Sequence, residues 1–275
     1  MNGAFGDNDV EIRPTGIKSA LRFWWRSLNG HLPLDDDNNQ AVQHGIGLRT
    51  REGDLFGNTK KRSNILVRVV ETFQNDAIES TVLLPHRGPS SNKVKSLKKE
   101  TNFSVRIDYN EKLISRDKMI SLFVLMCTLG GLGKRSRRGF GSVTVLRIGD
   151  NDYSSPTSLD DIFRCINNVS PDKYKNENGR ITVNFSSFNE YPFILEVNIG
   201  DTIQTLELIG KATHDTKLIN PFEYEKSIGA GRPRLASPIY ISILSNGYPV
   251  VTTLKKDRNV STDLQKSLKT KILTK

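Results

Sequence analysis

Cysteine is nearly absent: the 275 residues contain two, Cys127 and Cys165. Neither has a CxxC partner or a histidine at zinc-finger spacing, so the sequence offers no structural zinc site. Long apolar runs are missing too. The longest, Leu122–Leu129, falls far short of the roughly 20 residues a bilayer-spanning helix requires, and nothing resembles a signal peptide. The sequence therefore predicts a reduced, cytoplasmic protein with no membrane partner, in which Cys127 is an ordinary buried thiol. Histidine is scarce: His31, His44, His86 and His214 are the full set, and none forms a motif with a nearby nucleophile or carboxylate. They read as surface histidines, with His44 and His86 in polar loops as the two that a catalytic role could use. Asp35–Asp37, in an asparagine-rich stretch, reads as solvated carboxylates and not as a metal site. No metal, no cofactor and no catalytic residue are expected.

Acidic residues are missing where basic ones gather. No Asp or Glu lies between Glu11 and Asp35, a window holding Lys18, Arg22 and Arg26; none lies between Lys118 and Asp150, a window holding Lys134, Arg135, Arg137, Arg138 and Arg147. The net charge is +10 and the isoelectric point about 9.6. Such an excess speaks to partners and not to fold. The candidates are nucleic acid, an anionic membrane surface and acidic protein.

What is present suffices for a core. Hydrophobic residues make up 36% of the chain, which argues against disorder. Pro14-Thr15-Gly16 opens a helix in which Ile17, Leu21, Trp24 and Leu28 share one face, Lys18, Arg22 and Arg26 a neighbouring one, and Gly30 is a stop signal. Trp25 is either exposed beside the arginines, where it can stack on a base, or packed in the core. Residues 31–62 read as irregular, 63–72 as a strand, 81–84 as a short strand, 88–99 as a lysine-bearing loop and 103–109 as a half-buried strand. Ser115 can cap a helix over about 117–129. A glycine-arginine loop spans Gly130–Gly141 and a strand 142–148. Helix, strands, helix, loop, strand fits an α+β sandwich of the ferredoxin-like type without its first strand. Gly149–Pro156 marks a boundary, giving domains 1–150 and 151–275. The second half is less legible: a helix over 158–167, strands over 193–199, 238–244 and 249–254, and a terminal helix over 260–273.

Two constellations carry chemistry. The three cations at one-turn spacing on the first helix match a run of phosphates, and a guanidinium forks two donors onto phosphate oxygens. The loop Gly130-Gly-Leu-Gly-Lys-Arg-Ser-Arg-Arg-Gly-Phe-Gly141 has five glycines in twelve residues. They permit positive φ and close backbone approach, and exposed N–H groups in such a turn form an anion-binding nest. A nucleotide P-loop is excluded: Thr128 stands where its first glycine belongs, Arg135 where its Ser or Thr belongs, and helix precedes strand. A Rossmann turn fails because Ser136 occupies its third glycine. A polymer backbone suits the mix of glycine and arginine better, with binding that weakens steeply with salt.

These motifs together resemble the RAMP superfamily, and within it the first subunit of the Cmr module of type III-B CRISPR effectors. Ile17–Arg26 is similar to that subunit's IKGALRFWWR signature, Gly130–Val143 to the superfamily's glycine-rich loop, Leu55–Thr59 to an LFGST segment, and Arg234–Pro238 to an RxASP stretch. The resemblance implies two ferredoxin-like (RAMP/RRM-like) domains. It also implies a non-catalytic, RNA-binding place near the guide's 3′ end, with guide RNA, target RNA and other RAMP subunits as partners in antiviral defence. By motif match the RNA-contacting positions are Lys18, Arg22 and Arg26 with Gly130, Gly131, Gly133, Lys134, Arg135, Arg137, Arg138, Gly139 and Gly141. Relatives usually begin with a strand ending in a TPLFxGG-like turn; Met1-Asn-Gly-Ala resembles the tail of that turn, so the first strand is expected to be missing, either through a mis-assigned start or as an unpaired edge of the sheet. Two other readings stay open. One is a metal-independent endoribonuclease that processes guide precursors with His44 or His86. The other is an adaptor whose arginines meet acidic protein surfaces.

Overall fold

A computed structural model describes residues 10–34, 47–70, 77–88, 93–189, 191–230, 235–255 and 261–274. In chain order the helices are α1 (Pro14–Leu28), α2 (Leu48–Phe56), α3 (Arg116–Leu129), α4 (Leu159–Val169), α5 (Leu206–Ile219), α6 (Pro221–Ser227) and α7 (Thr262–Leu273). The strands are β1 (Ile65–Val69), β2 (Ile78–Val82), β3 (Lys93–Leu97), β4 (Val105–Tyr109), β5 (Arg147–Ile148), β6 (Asn151–Asp152), β7 (Tyr174–Glu177), β8 (Arg180–Val183), β9 (Phe193–Ile199), β10 (Ile239–Ile243) and β11 (Pro249–Lys255). The chain is α+β, as the sequence predicts.

The first half pairs β1 antiparallel with β4, from Ile65 opposite Tyr109 to Val69 opposite Val105. Pro at its first turn preorganises α1, and its predicted stripe is buried: Ile17, Leu21, Trp24 and Leu28. Ser115 accepts from the Lys118 N–H at the start of α3, and α3 is apolar nearly all round because helices and strands cover it on several sides. The second half is a five-stranded antiparallel sheet in the order β10-β11-β9-β8-β7. Strand β9, helices α5 and α6, strands β10 and β11, and helix α7 follow the ferredoxin-like sequence of elements, and β8 occupies the place beside β9. Both sheet faces are covered. Ile209, Tyr224, Ile239, Ile241, Val251, Leu264 and Leu268 form the core on the α5–α7 side. Ile181, Ile194, Val197, Tyr240 and Val250 join the core of the first half on the other.

The two halves interlock. The orphan carbonyls at the end of α1 are satisfied from the second half: Leu28 O accepts from Ser170 Oγ at 2.9 Å and from the Tyr174 hydroxyl at 3.3 Å. Gly30 ends the helix region for a reason other than backbone conformation. A Cβ there would collide with the Phe193 ring and Cβ, so glycine permits the close approach of β9.

Several sequence expectations are corrected. Residues 31–62 are not irregular throughout, because 48–56 form α2; Asp35–Asp37 and His44 lie outside the described residues. The stretch 88–99 contains β3, which pairs with β2 from Ile78 opposite Leu97 to Val82 opposite Lys93. Of the strand expected over 142–148, only Arg147–Ile148 enters a ladder, a short one with Asn151–Asp152. Upstream of it, Val145 exchanges both backbone hydrogen bonds with the Ser155 hydroxyl instead of a strand. Strands β7 and β8 and helices α5 and α6 have no counterpart among the sequence expectations.

Candidate nucleic-acid interface

The glycine-rich loop folds back on itself and onto the second half. The Leu132 N–H donates to Gly141 O at 2.9 Å. Gly133, Gly139 and Gly141 have positive φ, and so does Arg135 at 57°. Gly141 is indispensable: at φ +66° a Cβ would fall on the Leu132 carbonyl. Strand β10 lies at the edge of its sheet, and the loop closes that edge. The Gly139 N–H donates to Ile241 O at 2.8 Å, the Ile243 N–H donates to Ser142 Oγ at 3.1 Å, and Ser242 Oγ donates to Thr128 O at the end of α3. Free edges invite unwanted pairing, so the loop's shape is set by the sheet as much as by its glycines.

The four loop cations diverge in role. Lys134 is exposed. Arg137 lies over the Tyr240 ring at 4.8 Å, and Arg135 over Phe140 at 5.9 Å. Arg138 turns inward, donating through Nη1 to Ile239 O at 3.1 Å and through Nη2 to Ser237 Oγ at 3.3 Å. Among the described residues none of the four pairs with a carboxylate. Burial, then the neighbouring Arg138, pushes the Arg135 guanidinium below its ordinary pKa. Arg135 Nε is buried with no hydrogen-bond partner among the described residues. Arg135, Arg137 and Arg138 line an open cleft of about 370 Å³ together with Thr213, Tyr224 and Ser237. Three guanidiniums around one cleft, with no carboxylate partner among the described residues, give it a positive local field.

The cations of α1 behave differently. Arg22 and Arg26 both bond the carboxylate of Glu52 on α2, which is 3% exposed; Arg26 Nε reaches Oε2 at 3.1 Å. Arg26 also lies over the Tyr191 ring at 4.6 Å. The sequence window is free of acids, yet a carboxylate 26 residues further along the chain cancels one of the two charges. Lys18 has its pKa lowered by partial burial and then by Arg22. Trp25 is buried, 6% exposed, edge-on to Phe56 of α2, which settles its two readings in favour of packing. At about 100° per residue, Arg22 and Arg26 project away from the Trp24 face. Trp24 and Phe23 meet Tyr240, the ring under Arg137, at centroid distances of 5.2 and 5.5 Å. The helix therefore touches the loop's anchor with its aromatic face and carries its arginines on the opposite one.

Sequence reasoning missed Glu52, Tyr240 and Tyr224, whose only signal is placement in the fold, since each lies far in sequence from the cation it meets; Ser237, in the Arg234–Pro238 stretch, and His214 stand out in the sequence but are not tied there to the loop. Three of the histidines read as surface residues are half-buried. His86 and His214 stand with ring centroids 5.5 Å apart, and His31 has its Nδ1 buried and its pKa pushed down to about 4, first by burial and then by Lys173 and Arg51. Among the described residues there is no cluster of His, Cys, Asp and Glu fit to hold a metal, and no helix is long and apolar enough to cross a membrane.

The fold is an α+β arrangement of two ferredoxin-like halves in contact through a glycine-arginine loop. A model of the RAMP superfamily matches residues 3–144, and this chain belongs to that superfamily. The curated "CRISPR system Cmr subunit Cmr1-1" of Pyrococcus furiosus is 27% identical over 185 residues, covering 62% of this chain and 49% of the relative. The chain thus spans about half the length of the curated relative it matches. The apo crystal structure of Cmr1 from Pyrococcus furiosus is similar in fold, with a TM-score of 0.57 at 18% identity over 95% of this chain and 89% of that one. A chain in a cryo-EM structure of the type III-B Cmr-beta complex bound to cognate target RNA aligns over 95% of this chain and 93% of its own, at 11% identity and a TM-score of 0.49.

Proposed function

We propose that this chain is a non-catalytic RNA-binding subunit of a type III-B CRISPR ribonucleoprotein, acting in the cytoplasm beside other RAMP subunits. In this reading the glycine-rich loop is its main grip on the phosphate backbone of guide or target RNA near the guide's 3′ end. The carrying observation is the cluster of Lys134, Arg135, Arg137 and Arg138 on one loop, three of them around one cleft, with no carboxylate partner among the described residues. Membership of the RAMP superfamily and the likeness to a Cmr1 relative support the assignment. Lys18, Arg22 and Arg26 make a second, weaker contact, since one carboxylate shared by two guanidiniums leaves a single net positive charge.

Fluorescence anisotropy of single-stranded RNA against salt tests the grip. The double charge reversal Lys134→Glu with Arg137→Glu weakens binding with little sequence preference and flattens the salt slope by about 0.7 for each phosphate that is no longer neutralised. Unchanged affinity removes the loop from the interface. Incubation with precursor RNA in EDTA leaves the RNA intact. Clean cleavage that His86→Ala abolishes would replace this reading with the metal-independent endoribonuclease.

A further inference from the structure

The His86–His214 pair is a feature that the loop's grip on RNA does not use. His86 sits in the short 3-10 turn Pro85–Arg87, which packs on α5. Its ring is seated against Gly210, where a Cβ would stand 2.5 Å from Nδ1. A glycine inside a helix costs about 1 kcal/mol relative to alanine, and here it makes room for this imidazole. His214 lies one turn further along α5, its ring tilted 32° to that of His86 at 5.5 Å. His86 Nδ1 is buried without a hydrogen-bond partner among the described residues, as is Nε of Arg135.

The charges around this pair have one dominant sign. His214, Arg135 from the glycine-rich loop and Arg87 from the turn all oppose protonation of His86, behind burial as the largest influence; Asp215 of α5 alone favours it. Arg135 in turn faces Arg138, Arg87 and the Tyr224 hydroxyl of α6. A cation placed here would meet guanidiniums. An anion would relieve the repulsion among them and find two imidazoles and a partly unsatisfied guanidinium as donors. We propose that His86, His214 and Arg135 form a phosphate-binding subsite that takes one phosphodiester of the bound RNA strand. The inference rests on the RNA-binding reading above and adds to it a defined place for one phosphate, beside the cleft that Arg135 already lines.

Such a site takes up protons when it fills. A bound phosphodiester raises the pKa of the His86 imidazole, which burial first and the neighbouring cations second hold down, so by linkage RNA binds more tightly as pH falls through the histidine range. Each proton taken up contributes at most about tenfold in affinity per pH unit.

RNA affinity of the full chain at constant salt, measured near pH 8 and near pH 5.5 to bracket imidazole titration, tests the subsite with His214→Gln beside the wild type. NMR titration of the His86 and His214 imidazoles with and without RNA is the second measurement. The wild type is expected to gain about fivefold more affinity on acidification than His214→Gln, and RNA is expected to raise both imidazole midpoints. RNA that binds tightly while the midpoints stay put and the variant keeps the full pH response overturns the subsite and leaves the RNA-binding reading standing. No RNA binding at either pH overturns that reading instead. The subsite then stands or falls on whether inorganic phosphate alone moves the midpoints.

Discussion

Glu52 and Arg26 are joined across 26 residues of sequence, Arg26 Nε donating to Oε2 at 3.1 Å and Nη2 to Oε1 of a carboxylate that water does not reach. Arg22 Nε bonds the same Oε1. Removing the carboxylate leaves two part-exposed guanidiniums without their shared partner. Glu52→Gln is expected to cost about 2 kcal/mol in chemical denaturation, below the range for fully buried pairs because water reaches the arginines. RNA affinity, measured on the folded variant, should rise modestly, since the α1 surface gains one positive charge.

Gly141 and Gly149 both have positive φ, +66° and +60°, but their surroundings differ. A Cβ at Gly141 meets the Leu132 carbonyl, whereas nothing lies within 4 Å of one at Gly149. Gly149→Ala should cost about 1 kcal/mol from backbone conformation alone. Gly141→Ala should cost at least about 3 kcal/mol or abolish the loop. Thermal melts of the two variants side by side check the difference.

Arg138 and Lys134 separate holding the loop from gripping a ligand. Arg138→Ala removes donors to Ile239 O and Ser237 Oγ and is expected to lower stability by about 1–3 kcal/mol. Lys134→Ala touches no packed neighbour, should leave the melting temperature unchanged, and should weaken RNA binding while lowering the salt dependence by one phosphate's worth. Equal effects of the two on stability would contradict the geometry.

His31 makes the fold sensitive to acid. Its pKa lies at about 4 in the folded chain against the ordinary 6.5, chiefly because it is buried. The unfolded chain therefore takes up a proton that the folded one refuses, so stability is full above about pH 6.5 and declines as pH falls toward 4. The loss is about 2 kcal/mol after allowance for the part of the ring that water reaches. His31→Phe, beside the Phe185 ring, should flatten the decline in urea denaturation across that window.

The first half is readable where periodicity is strong. The α1 stripe follows the helical repeat, and Val105–Tyr109 alternates. Helix α2 escapes because its sequence, Leu48-Arg-Thr-Arg-Glu-Gly-Asp-Leu-Phe56, sets a buried glutamate among its buried apolar positions Leu48, Leu55 and Phe56 and so breaks the apolar stripe. Strand β3, Lys93-Val-Lys-Ser-Leu97, is mostly polar because its hairpin with β2 is largely open to solvent. The loop's glycines and cations suggest anion binding, but not that Arg138 spends its donors on β10. That depends on a partner 101 residues away, and no local pattern encodes it. The histidine pair is invisible for the same reason, its members lying in separate elements that meet only after α5 packs on the turn at His86.

The fastening of the loop to β10, and of the end of α1 to Ser170 and Tyr174, ties the first half to strands and turns of the second. On the proposed reading, the loop cations and the α1 arginines therefore sit on elements fastened to the same second half. An RNA strand that touched both would meet them at a spacing set by that fastening, and would have to adjust its own torsions to reach them.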